Sequence, residues 1–429
     1  MTSHRPVLDP GGDVVGPPAV VIGLDSITGL QTARILADRG VPVIGIVGDR
    51  HHWGARTNAC AEVLVSPLFG SGLVRCLQEL GSRLDDVSVL IPCTDGSVAT
   101  LSRHRDELAD HFVLPLAADP VVEMLMDKVE FARYAAAAGL PFPQTEMLSS
   151  RADAERAAQR LNYPCVLKPA LKSSTWLAQT SAKGFAVTDA RELLSVYDRV
   201  AGWSPLLIAQ EWVMGGEQEL YSCNAYFDEQ AQPLVTFVAR KVRQWPPDIG
   251  TSASGEECRN DEVLQATIRL FGDVGFRGLA YLEMKRDERS GRLIIIEPNV
   301  GRPTGRSAIA EAGGVELVYT AYCDAAGLAL PSAREQRYVG TKWLDLRRDA
   351  QAAALAYRRG DLSISEWVQS LRGRKAHAIW SRHDPMPFAA DLLQAGWKGG
   401  RILSAGLSTS ARAGRAASRT ANLAREPVP

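Results

Sequence analysis

A chain of 429 residues, 46% hydrophobic and 23% charged, has the composition of a folded globular protein and the length for two or three domains, which excludes a disordered or collagen-like chain. Its 48 basic and 49 acidic residues leave a formal net charge of -1, which argues against a nucleic-acid partner held by the overall field. No apolar run approaches the roughly 18 residues of a membrane span, so no membrane partner is expected.

Residues 1–18 carry Gly11, Gly12, Pro17 and Pro18 and no apolar h-region. They read as a disordered N-terminus rather than a secretory signal. Ala19 to Gly23 is a short apolar run without alternation, as expected of a strand buried on both faces. A helical pattern from about Gly29 to Arg39 and a second strand at Val41 to Val47 complete a β-α-β unit. Strands at 62–65 and 87–92 alternate with helices at 73–84 and 97–110. Residues 19–118 therefore read as one doubly wound α/β domain with a parallel sheet.

A second unit is expected over 119–330. Two short helices span 120–139, and strands follow at 164–169, 206–211, 219–227 and 233–240. Asp261 to Val274 is an amphipathic helix, and Gly278 to Lys285 with Arg292 to Glu297 is a hairpin. Residues 331–400 read as a helical extension rich in tryptophan. The tail 401–429, where Arg412, Arg415, Arg419 and Arg425 face only Glu426, reads as disordered. The seven cysteines are scattered and lack C-x-x-C spacing, which fits a reduced, cytoplasmic chain with no zinc site.

Chemistry concentrates in the hairpin. Glu297 and Asn299 stand at i and i+2 on one strand face, and Glu283 falls opposite residues 295 to 297. Two carboxylates and an amide oxygen at one spot suit magnesium, although solvated acids at a hairpin end explain the same pattern taken alone. Lys168 sits inside an apolar strand and needs an anion or solvent, and Lys128 is a second candidate cation. The segment Gln210-Glu211-Trp212-Val213-Met214-Gly215-Gly216-Glu217-Gln218-Glu219 joins a strand end to paired glycines and acids that suit a purine nucleotide. Arg240, Arg302 and Arg306 are candidates for a carboxylate and for charge developing on it.

These segments, in this order, resemble the ATP-grasp ligases, and among them a branch of carboxylate–amine ligases related to biotin carboxylase, carbamoyl phosphate synthetase and D-aspartate ligase. The resemblance runs over most of residues 19–390 and takes in Trp343, Asp345, Arg347 and Asp384-Pro385-Met386-Pro387. It implies an α/β ATP-grasp fold, a Rossmann-like pre-ATP-grasp domain and a helical C-terminal extension. It implies ATP and magnesium, with manganese as substitute, small-molecule acid and amine substrates, and allows a homodimer. By resemblance Lys128 and Lys168 contact phosphates, Gln210, Glu211, Trp212 and Val213 hold the adenine, and Glu217 or Glu219 binds the ribose. Glu283, Glu297 and Asn299 match the metal ligands.

Two features depart from the family. The usual Glu-x-Asn-Pro-Arg is here Glu297-Pro298-Asn299-Val300-Gly301-Arg302, with the arginine one place late, so Arg302 or Arg306 takes its role. The glycine-rich phosphate lid is replaced by a Ser/Thr-rich segment from Lys172 to Gly184, where Lys183 is the cation available to ATP. Bicarbonate activation and nucleotide binding without turnover are the alternatives. No biotin-carrier segment is visible for the first, and the altered lid is the support for the second. A dinucleotide oxidoreductase is disfavoured, because Gly23 to Gly29 lacks G-x-G-x-x-G.

Overall fold

The computed structural model describes residues 16–171, 173–247 and 250–395. The expectations for residues 1–15, for 396–400 and for the arginine-bearing tail 401–429 lie outside these residues. No described helix is long and apolar enough to cross a membrane.

The first sheet is built from β1 (Ala19–Ile22), β2 (Val43–Val47), β3 (Glu62–Val65), β4 (Ser88–Pro92) and β5 (Phe112–Val113), all parallel in the order β3-β2-β1-β4-β5. Residues of β1, β2 and β4 are buried throughout, so their apolar runs show no alternation. The turn after β1 is tight. A Cβ on Gly29 would meet the Gly23 carbonyl oxygen at 2.2 Å, so only glycine fits. Ser26 caps the following helix, its Oγ accepting from Gly29 N at 3.0 Å.

The second sheet comprises β6 (Thr145–Leu148), β7 (Cys165–Pro169), β8 (Phe185–Val187) and β9 (Leu207–Glu211), antiparallel in the order β6-β9-β7-β8. Its core holds Trp176, fully buried against Phe185 and Trp203. The helix Arg151–Arg160 that backs it escaped the sequence reading because its buried face is three alanines, too weak a contrast for a helical period.

The third sheet contains β10 (Leu220–Phe227), β11 (Pro233–Trp245), β12 (Thr251–Glu257), β13 (Gly278–Arg286), β14 (Leu293–Val300), β15 (Lys342–Leu344) and β16 (Lys375–His377), in the order β14-β13-β10-β11-β12-β15-β16. One face packs on the helices Asp119–Met126, Lys128–Ala137 and Asp261–Asp273 through a cluster that includes Phe227, Phe271 and Phe276. The other face is apolar at one end, where Tyr226, Phe237 and Leu279 meet Ile309 and Leu317, and polar at the other. The C-terminal extension is helical, as read, and also adds β15 and β16 to the sheet edge. Strands of three residues carry no legible period.

The segment Asp384–Pro387 straps this extension to the first domain. Asp384, 3% exposed, accepts from Arg34 Nε at 2.9 Å, Thr57 Oγ1 at 2.5 Å and Asn58 N at 3.1 Å. Burial pulls the Arg34 guanidinium below its ordinary value, and Asp384 opposes that pull. Asp384→Ala leaves Arg34 buried without its anion and is expected to cost about 3–5 kcal/mol of unfolding free energy. Urea unfolding of the variant checks this; a midpoint equal to the parent's contradicts the strap.

Candidate active site

The pairing of β13 with β14 places Glu283 directly opposite Glu297 and Tyr281 opposite Asn299. Strand alternation alone would set Glu297 on the face of Leu293 and Ile295, which are buried in the core. A β-bulge prevents this. Met284 pairs with Ile295 and Glu283 with Glu297, so Ile296 is the extra residue and the side-chain phase reverses there. Glu283, Glu297, Tyr281 and Asn299 then share the polar face of the third sheet. Burial and the neighbouring Glu283 push the Glu297 carboxyl above its usual range, with Asn299 and Arg302 pulling the other way. Asn299 Nδ2 donates to Glu297 Oε1 at 3.2 Å.

Two cavities meet at Glu297 and Asn299. The smaller, about 220 Å³, is lined by Lys128, Lys168, Gln210, Glu297 and Asn299 together with Phe131 and Ile296. Lys168 Nζ donates to Gln210 Oε1 at 2.8 Å, and Gln210 Nε2 donates to Thr145 Oγ1 at 2.8 Å. Burial and the nearby Lys128 charge push the Lys168 ammonium down to about 8, opposed by Glu297. The sequence placed both lysines near an anion, and the fold brings them to one wall.

The larger cavity, about 860 Å³, lies between the first domain and the polar face of the third sheet. Ser26, Thr28 and Trp53 line one side, and Glu283, Arg302 and Arg306 the other. Arg302 is fixed by three groups: Nε donates to Asp95 Oδ1 at 2.5 Å, Nη1 to Tyr281 Oη at 3.0 Å and Nη2 to Asn299 Oδ1 at 2.8 Å. Burial disfavours its charge, yet Tyr281 and Asp95 more than offset this and hold its pKa above the ordinary value. Burial pushes the Tyr281 hydroxyl up to about 12, against the pull of Arg302. Arg306 is 5% exposed, and its guanidinium donates to the hydroxyls of Ser252 and Ser222.

Not every candidate reaches these cavities. The expectation for Arg240 is corrected: it pairs across strands with Glu256 and bonds it at 2.6 Å, on the face opposite to Glu283. Its neighbour Lys241 is the residue that faces inward, 2.9 Å from Glu283 Oε1. Glu217 and Glu219 line a separate cavity of about 830 Å³, where Glu217 accepts from Gln244 N at 2.9 Å and Glu219 lies 3.7 Å from Arg286. Lys183 lines the larger cavity rather than the lysine-lined one. The segment Glu211 to Val213 crosses from the second sheet to the third. Trp212 N donates to Pro164 O at 2.9 Å, and Lys285 Nζ donates to the Val213 carbonyl at 3.0 Å. Within the Ser/Thr-rich lid segment, Ser174–Gln179 is a helix capped by Ser173; Lys172 lies outside the described residues.

Sequence reasoning missed Asp95, Tyr281, Lys241 and Ser222. Asp95 belongs to the other domain, and no local signal joins it to Arg302. Lys241 stands next to the candidate Arg240, and the sequence reading had no strand phase with which to choose between them.

No family model matches the chain. It is 25% identical over 252 residues to a D-aspartate ligase of Enterococcus faecium, a match covering 56% of this chain and 59% of that protein. It is 33% identical over 210 residues to a D-alanine–D-alanine ligase of Methylococcus capsulatus, covering 45% and 62%. The chain thus spans less than two thirds of these relatives. Among solved structures it is similar to an N5-carboxyaminoimidazole synthetase from Staphylococcus aureus, with TM-score 0.58, 13% identity and coverage of 75% and 80%. An L-amino acid ligase from Bacillus licheniformis gives TM-score 0.55 at 15% identity, over 77% and 78%. The biotin carboxylase domain of a Hydrogenobacter thermophilus 2-oxoglutarate carboxylase, solved with MgADP, gives 0.57 at 14%, over 76% and 73%.

Proposed function

Because the chain has the ATP-grasp fold, we propose that it is an ATP-dependent ligase that joins a small carboxylate to an amine. The observation that carries this reading is the meeting of two cavities at Glu297 and Asn299, one lined by lysines and the other by arginines, with Glu283 opposite Glu297 on the wall of the larger. Phosphate chemistry on one side and carboxylate chemistry on the other then share Glu297 and Asn299.

The acids fit a divalent cation. Burial and the Glu283 charge directly opposite raise the Glu297 carboxyl, and a hard cation beside it relieves that cost. No group of three His, Cys, Asp or Glu side chains able to hold a metal occurs among the described residues. Glu283, Glu297 and the amide oxygen of Asn299 would hold the ion, with phosphate oxygens completing the set. Bound there, magnesium would neutralise charge on the transferring phosphoryl group.

The substrate carboxylate oxygen attacks the γ-phosphorus, and the bond to the bridging oxygen of ADP breaks. Lys168 and Lys128 hold the phosphates in line. The amine nitrogen then attacks the acyl carbon of the acyl phosphate, a proton leaves the nitrogen, and phosphate departs with the bonding pair. Arg302, immobilised by Asp95, Tyr281 and Asn299, faces the oxyanion that develops at that carbon. Arg306 adds a second positive charge from the floor of the larger cavity.

Release of ADP from purified protein, screened over pairs of amino acids or sugar acids with amines, tests the proposal. It predicts turnover that requires magnesium, an acid and an amine together; a complete panel without acid-dependent ADP release refutes it. A pH effect follows from Lys168. Its ammonium titrates near 8 in the free protein and gains protons when phosphates bind beside it. ATP affinity is therefore expected to be highest below pH 8 and to fall as the pH rises through 8. Calorimetry at pH 8 in two buffers of different ionisation enthalpy should show proton uptake, and Lys168→Met should abolish it.

A further inference from the structure

We propose that Lys241 and Arg306 form a carboxylate site for the substrate, and that this site becomes available only when Glu283 turns from Lys241 to the metal. This deepens the ligase reading and rests on it.

The cross-strand register sets the geometry. Glu283 pairs with Glu297 on one side and with Ser222 on the other, so the polar face continues from the acids onto β10. From the next strand, β11, Lys241 pairs with Gly255 on β12, and Gly255 with Trp343 on β15, on that same face. Lys241 is 8% exposed and reaches back to Glu283 at 2.9 Å. In this arrangement it occupies an oxygen that a metal requires.

Arg306 lies over the same strands, between Ser222 and Ser252, with its Cδ 3.4 Å from where a Cβ on Gly255 would sit. Among the described residues Arg306 has no carboxylate within ion-pair distance, although it is 5% exposed; the ion pairs there belong to its neighbours. A buried cation that donates to hydroxyls, and that feels the Glu283 charge only from beyond ion-pair distance, calls for an anion. Trp343, 2% exposed and lining the same cavity, has an indole N–H with no partner.

While Glu283 neutralises Lys241, the face carries one unpaired cation. Once Glu283 serves a metal, Lys241 and Arg306 are both without an anion, beside the reacting centre. Two adjacent cations with an unused N–H nearby suit the carboxylate of a substrate. The metal and the carboxylate then favour each other's binding, because each removes a cost the other would meet.

The test reads metal binding, with no turnover. Binding of Mn²⁺ to the full chain with a non-hydrolysable ATP analogue is measured by electron paramagnetic resonance, with and without formate as the carboxylate probe. In the parent, saturating formate is expected to tighten Mn²⁺ by about tenfold, within the usual range of coupling between sites. Lys241→Met is expected to bind Mn²⁺ more tightly without formate and to lose the formate effect, and Lys241→Arg to keep it. A formate effect absent from the parent, or equal in Lys241→Met, overturns the proposal. Failure of the parent to bind Mn²⁺ with nucleotide at all overturns the ligase reading beneath it.

Discussion

Glu297→Ala is expected to lower acid-dependent and amine-dependent ADP release by about 10³-fold, the scale set by removing one preorganised electrostatic group from a reacting centre. The substitution removes one of two opposed carboxylates and leaves Glu283 and Asn299 without the third ligand. Glu297 opens onto the cleft, where the close protein walls that disfavour its charge leave its surface accessible, and it belongs to no core cluster, so the fold should survive. A side chain outside the core clusters takes no core packing with it, and removing a like charge beside Glu283 adds no penalty, so the unfolding free energy is expected to change by about 0.5 kcal/mol or less. Steady-state turnover at saturating magnesium and ATP, with a thermal melt alongside, measures both. A variant that melts like the parent and turns over within tenfold of it removes Glu297 from the reaction.

Arg302→Met is expected to lower kcat by about 10²–10³-fold, with little change in KM for ATP. The reason is placement. Its guanidinium is anchored at three points on the wall of the larger cavity, whereas the phosphates are held by Lys128 and Lys168 in the smaller one. The same side chain also bridges domains through Asp95, so a loss of activity could come from the bridge alone. Asp95→Asn separates the two effects: it weakens the bridge and leaves the positive charge in place. Comparable losses of kcat in both variants would assign Arg302 to holding the domains, and a much larger loss in Arg302→Met supports the electrostatic role.

The spacing of Glu283, Glu297 and Asn299 was legible because strand geometry is periodic and a hairpin fixes the register. Their common face was legible only by accident. Simple alternation from Ile295 points Glu297 into the core, and the bulge at Ile296 that corrects it leaves no mark in a run of isoleucines. No strand phase was legible at Arg240, where one residue decides between Glu256 on one face and Glu283 on the other. Strands β1, β2 and β4 announced themselves because both faces are buried. The strands β15 and β16, at three residues each, and the alanine-faced helix Arg151–Arg160 did not. The contact of Asp95 with Arg302 joins residues more than 200 positions apart and depends on how two sheets dock, which no local pattern encodes.

The most direct measurement follows oxygen. The acid that scores in the ADP-release screen is prepared with ¹⁸O in its carboxylate and turned over with ATP, magnesium and the matching amine, and the released phosphate is analysed by ³¹P NMR. Activation through an acyl phosphate predicts one ¹⁸O transferred from the acid to each phosphate. Phosphate containing only unlabelled oxygen, or release of AMP in place of ADP, would contradict the account.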